Sequence, residues 1–72
     1  MLELYATQVC PFCAEVRDDL EWKGRTFVEY DVELDEQARL RMQALTGQST
    51  VPVLVENGEV VMIGWKGRGC QL

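Results

Sequence analysis

Seventy-two residues make room for one domain, and a chain this short keeps little stability in reserve because so much of its surface stays wet. Hydrophobic residues at 47% and charged residues at 26% are the proportions of a globular chain, which excludes a disordered one, and no apolar run nears the roughly 20 residues that cross a bilayer. Seven Lys and Arg against twelve Asp and Glu give a net charge of −5, which argues against a nucleic-acid partner, since such binding draws on clustered cations. The only basic cluster is Lys66-Gly67-Arg68.

Leu2, Leu4 and Tyr5 predict a first strand that ends at Ala6-Thr7-Gln8. Pro11 then stands where a helix begins, a position that tolerates a missing N–H. Cys13, Val16 and Leu20 recur at helical spacing with charged residues between them, and Lys23-Gly24 closes the helix. Thr26 to Val32 is rich in β-branched and aromatic residues and reads as a second strand, parallel to the first. Asp35 caps a second helix in which Ala38, Met42 and Leu45 share a face, and Gly47 ends it.

Val51 to Val55 is apolar without alternation, as in a strand covered on both faces. Asn57-Gly58 is a strong hairpin signal, and Val60 to Ile63 returns as the partner strand. The predicted order is β-α-β-α-β-β. Residues 64–72 hold three glycines and form a tail unsuited to a helix. The opening Met1 to Tyr5 lacks the basic and long apolar regions of a secretory leader, so a reducing cytoplasm is the expected setting. There, cysteines are more often catalytic or metal-binding than structural.

Cys10-Pro11-Phe12-Cys13 is the chemical centre. Two cysteines three apart, one just before a helix and one a turn inside it, lie close enough for a disulfide. The unpaired N–H groups and partial positive charge of the helix end favour the thiolate of Cys10 over its thiol. Intramolecular zinc needs four ligands, and the chain offers one further cysteine and no histidine; two chains pooling cysteines could hold a metal or an iron–sulfur cluster. An inert buried pair is a third reading. Pro52, in Thr50-Val51-Pro52, either starts a strand or forms a cis bond in a tight turn. Cys70, left over on the tail, is either a bystander or a third redox centre that exchanges with a Cys10–Cys13 disulfide or links two chains.

Tyr5 through Cys13, the Asp31-Val32 strand end before an acid-capped helix, Thr50-Val51-Pro52, and Asn57-Gly58 with Ile63-Gly64 fall in the order and spacing of glutaredoxins, which the chain resembles over nearly its whole length. The resemblance implies an α/β, thioredoxin-like fold of glutaredoxin type, with a mixed four-stranded sheet and the C-terminal helix absent. The activity it implies is that of a thiol-disulfide oxidoreductase reducing protein or glutathione mixed disulfides, with Cys10 attacking and Cys13 resolving. Substrate contacts would come from Thr7, Pro11, Phe12, Thr50, Val51, Pro52, Gly64 and Lys66, with a cis Pro52 and the Val51 backbone presented to a peptide-like substrate. Glutathione is the implied co-substrate; no cofactor or metal is expected.

Two motifs depart from the family. Thr7 stands where a lysine is usual, and Gly64-Trp65-Lys66-Gly67 replaces Gly-Gly-x-Asp, so contacts to glutathione's carboxylates and amine change; Lys66 and Arg68 are the cations at hand. The pattern also looks like the short bacterial glutaredoxin-like group in which the first cysteine can be selenocysteine. Without the last helix, the apolar strands from Val51 and Val60 need other cover, for which a second copy of the chain or the tail with Trp65 is expected. The alternative function is a dimeric metal or iron–sulfur module using Cys10.

Overall fold

The computed structural model describes residues 1–72, all of the sequence given. Its elements are β1 (Leu2–Ala6), α1 (Pro11–Trp22), β2 (Val28–Asp31), α2 (Glu36–Thr46), β3 (Thr50–Val51), β4 (Val53–Glu56), β5 (Glu59–Ile63) and β6 (Cys70–Gln71). Four strands form a mixed sheet in the order β2-β1-β4-β5, with β1 parallel to β2 and antiparallel to β4, and β4 antiparallel to β5. This is the thioredoxin-like α/β arrangement that the strand and helix signals imply.

The rows of the sheet show which helix covers which face. Leu4 pairs with Glu29 and with Leu54, and Glu29 bonds Arg17 of α1 through both carboxylate oxygens, at 2.8 and 2.6 Å. That row therefore faces α1. Tyr5 pairs with Tyr30 and Val53 and carries the hydroxyl to which Arg41 of α2 donates at 3.0 Å, so the next row faces α2. Covered on both sides at the centre, β1 buries Leu2, Leu4, Tyr5 and Ala6 without alternation. Cys13, Val16 and Leu20 of α1 and Ala38 and Met42 of α2 complete the core.

Local chemistry accounts for the element ends. The Asp35 side chain accepts a hydrogen bond from the Ala38 N–H at the start of α2, and Gly47 ends that helix in the left-handed region. Asn57 and Gly58 both take positive φ, as a tight two-residue hairpin of this hand requires.

Four expectations change. The strand expected from Val51 to Val55 is split at Pro52, which has no N–H to give a ladder: β4 joins the main sheet, while β3 pairs with β6 in a separate two-stranded piece. The strand expected from Thr26 shortens to Val28–Asp31. Leu45 lies outward at 41% exposure, because α2 buries only Ala38 and Met42 against the sheet. The cover expected on both faces of the last hairpin is incomplete: Leu54 and Met62 are half-buried on the α1 face, and Val61 and Ile63 of the edge strand are 55% and 40% exposed.

The tail is ordered rather than loose. Lys66 and Gly67, both at positive φ, form a tight turn closed by Trp65 N–H to Arg68 O at 2.6 Å and Arg68 N–H to Trp65 O at 2.9 Å. This turn sends residues 69–72 back along β3, pairing Val51 with Cys70 and Thr50 with Gln71.

Candidate redox site at the start of the first helix

Cys10 is the N-cap residue of α1, in extended backbone, with Pro11 at the first helical position and Ala14 N–H donating to the Cys10 carbonyl at 3.3 Å. The sequence places it there because a strand must end and a helix begin within Thr7–Cys10, and proline suits the first helical turn alone. The Cys10 sulfur is bonded to Cys70, sixty residues away, with the two Cα atoms 6.1 Å apart. The expected Cys10–Cys13 disulfide is not the one formed. Nor is Cys10 exposed: with β6 in place, 2% of it is accessible.

Cys13 is a free thiol with no accessible surface. Burial pushes its pKa above the ordinary 9.0, against hydrogen bonds from the Thr7 backbone and hydroxyl and the positive field of Arg17 that pull it down. Thr7 itself is 3% exposed and turned to this inner thiol, not outward to a ligand. A buried neutral thiol is a weak nucleophile, since the thiolate attacks.

Phe12, Thr50, Ile63, Gly64, Arg68, Gly69 and Gln71, which include the chain neighbours of Cys70 but neither sulfur of the disulfide, line an open groove of about 710 Å³. Phe12 also lines a neighbouring hollow with Glu15, Trp65, Lys66 and Arg68, where the Lys66 ammonium lies 5.3 Å from the Trp65 ring centroid. Phe12, Thr50, Gly64 and Lys66 are thereby brought together. Pro11 is exposed beside them, whereas Val51 and Pro52 lie fully buried beneath the tail, the bond between them cis. Gly64 donates to the Pro52 carbonyl at 2.7 Å and has φ of +79°; a Cβ there would stand 2.6 Å from the Arg68 carbonyl oxygen.

Sequence reasoning overlooked Gly69 and Gln71 as site residues and named Arg68 only as a cation beside Lys66. The signal was available in Lys66-Gly67, a turn dipeptide that reverses the chain toward β3. No three His, Cys, Asp or Glu side chains converge as a metal site would require.

Residues 2–61 match the glutaredoxin family. Among curated proteins, a probable glutaredoxin of Synechocystis is 42% identical over 59 residues, covering 81% of this chain and 54% of that protein; the chain thus spans about half the length of this relative. A glutaredoxin-like protein of the rubredoxin operon in Clostridium pasteurianum is 34% identical, with coverage of 86% and 83%. Among solved structures, a mutant of the thioredoxin-like protein BC3987 superposes with a TM-score of 0.82 at 32% identity, over 90% of this chain and 82% of that one. The glutaredoxin of Archaeoglobus fulgidus superposes at 0.80 over 90% and 75%, and at 18% identity shares the fold. With its ladder order, its cysteine at the helix start and these matches in agreement, the chain belongs to the glutaredoxin family.

Proposed function

We propose that this chain is a thiol-disulfide oxidoreductase in which Cys10 is the attacking sulfur and the substrate is a disulfide-bearing protein or a glutathione mixed disulfide. The observation that carries the reading is the Cys10 sulfur at the mouth of α1, in a disulfide with a residue distant in sequence. A sulfur that takes a partner brought to it from elsewhere in the chain is placed for exchange. Once the bond opens, the helix end favours the thiolate that leaves and later attacks.

In the reaction, Cys10 thiolate attacks one sulfur of the substrate disulfide, forming a mixed disulfide and releasing the other half as a thiolate. A second thiol then displaces the bound half. The spacing of the motif assigns that step to Cys13, but its burial and raised pKa favour the neutral thiol. With glutathione as co-substrate, free glutathione can perform the release, and Cys10 suffices. Phe12, Pro11, Thr50 and Gly64 frame the approach, and Lys66 and Arg68 supply cations for a carboxylate-bearing substrate. A reducing cytoplasm suits this chemistry, and the half-covered β5 edge with Val61 and Ile63 is where a second copy of the chain would add.

The test is turnover of a small mixed disulfide with glutathione as reductant. Cys10→Ser should lower the rate by at least ~100-fold, since the nucleophile itself is removed. Retention of near-full activity by that variant would rule the reading out.

A further inference from the structure

We infer that Cys70 is the resolving thiol of this protein, and that its strand docks on β3 as an internal stand-in for the substrate's peptide. The inference rests on Cys10 as the attacking sulfur and goes beyond it by naming the second sulfur and the surface that presents it.

Three independent features converge on the tail. Its strand adds antiparallel to β3, Val51 opposite Cys70 and Thr50 opposite Gln71, extended by Leu72 N–H to the Ser49 carbonyl at 3.0 Å and by the Gln71 amide donating to the Thr50 hydroxyl at 2.8 Å. Gly69 is shaped for that contact: a Cβ there would stand 2.7 Å from both the Val51 carbonyl oxygen and Thr50 Cγ2, so this approach admits only a residue without a side chain. The Lys66-Gly67 turn and the positive φ of Gly64 return the chain at the length that brings Cys70 to Cys10. Meanwhile Cys13, the alternative, is sealed in the core.

With β6 seated, an outside disulfide cannot reach Cys10, so the oxidised chain is closed. Substrate must instead meet an open β3 edge, along which an extended peptide bearing its own sulfur adds as a strand, as β6 does. After attack, the substrate half R is held as Cys10–S–S–R. The Cys70 thiolate attacks the Cys10 sulfur; the Cys70–Cys10 bond forms, the bond to R breaks, and RS⁻ departs with the electron pair and takes up a proton. Reopening consumes two electrons from a low-molecular-weight thiol such as glutathione: two thiols become one disulfide and return both protein sulfurs to the reduced state. A ladder of two residue pairs holds the tail weakly once that covalent link is gone.

The experiment uses the full reduced chain mixed with glutathione disulfide, quenched in acid over time and weighed, with the adduct mapped. Cys70→Ser should accumulate glutathione on Cys10 to on the order of tenfold above the wild type, whereas Cys13→Ala should clear it as the wild type does. Gly69→Ala keeps all three sulfurs but blocks the docking, and should also strand the adduct. The inference is overturned if Cys13→Ala strands glutathione while Cys70→Ser clears it, or if Gly69→Ala closes as fast as the wild type. Absence of any adduct on Cys10 in every chain would instead strike the attacking role of Cys10, and this inference with it.

Discussion

At the scale of single residues, environment separates three chemically identical side chains. Cys10 stands at a helix end, Cys70 on a strand two residues from the chain's last position, and Cys13 in the core beside Thr7 and Arg17. For Cys13 the consequence reaches stability. Its folded pKa lies above the ordinary thiol value of 9.0, so as pH rises past that value the unfolded chain loses this proton while the folded one keeps it. The native state then binds more protons, and stability falls with rising pH. Urea midpoints measured on either side of that value should therefore decline more steeply in the wild type than in Cys13→Ala; equal slopes would show that burial does not perturb this thiol. The Cys-x-x-Cys spacing identified both residues but could not show which would be sealed, because that depends on how closely the first turn of α1 packs on the sheet.

At the scale of elements, the start and stop signals were legible wherever a side chain acts on its own backbone. Asp35, Gly47, Pro11 and the Asn57-Gly58 hairpin stand where their chemistry requires. Asp35→Ala should cost about 1 kcal/mol by leaving the Ala38 N–H without its partner, measurable by denaturant unfolding, with no change in the m-value. Signals that depend on a distant partner were harder to read. Val51 to Val55 has the composition of one strand, yet Pro52 divides it between two ladders, and the second ladder exists only because residues 70–71 return to it. Leu45 matched the helical spacing of Ala38 and Met42, but α2 leaves it outward.

At the scale of the whole molecule, the sheet is covered unevenly: on the α1 face Leu54 and Met62 stay half-buried, while Trp65 of the tail turn, beside Phe12, packs against the core before the chain runs on to β6. The Cys10–Cys70 link closes nearly the full chain, with a separation of sixty residues, and a loop of that length restricts the unfolded ensemble by about 4 kcal/mol in the chain-entropy treatment. Unfolding with and without reductant should show a large loss of stability on reduction in the wild type and none in Cys70→Ser; equal stability of the oxidised and reduced wild type would argue that the tail is not joined to the core. Strand order, helix order and the place of Cys10 could all be read from local pattern and resemblance. The partner of Cys10 could not, since nothing local couples position 10 to position 70.

The exchange chemistry proposed for this chain depends on Cys10 being the sulfur that reacts. Its most direct measurement is competition among the three thiols: the fully reduced chain, given less than one equivalent of iodoacetamide near neutral pH, is digested and the labelled cysteine identified. Cys10 should carry most of the label, with Cys13 modified only after denaturation. Label found first on Cys13, or spread evenly over the three, would contradict the account.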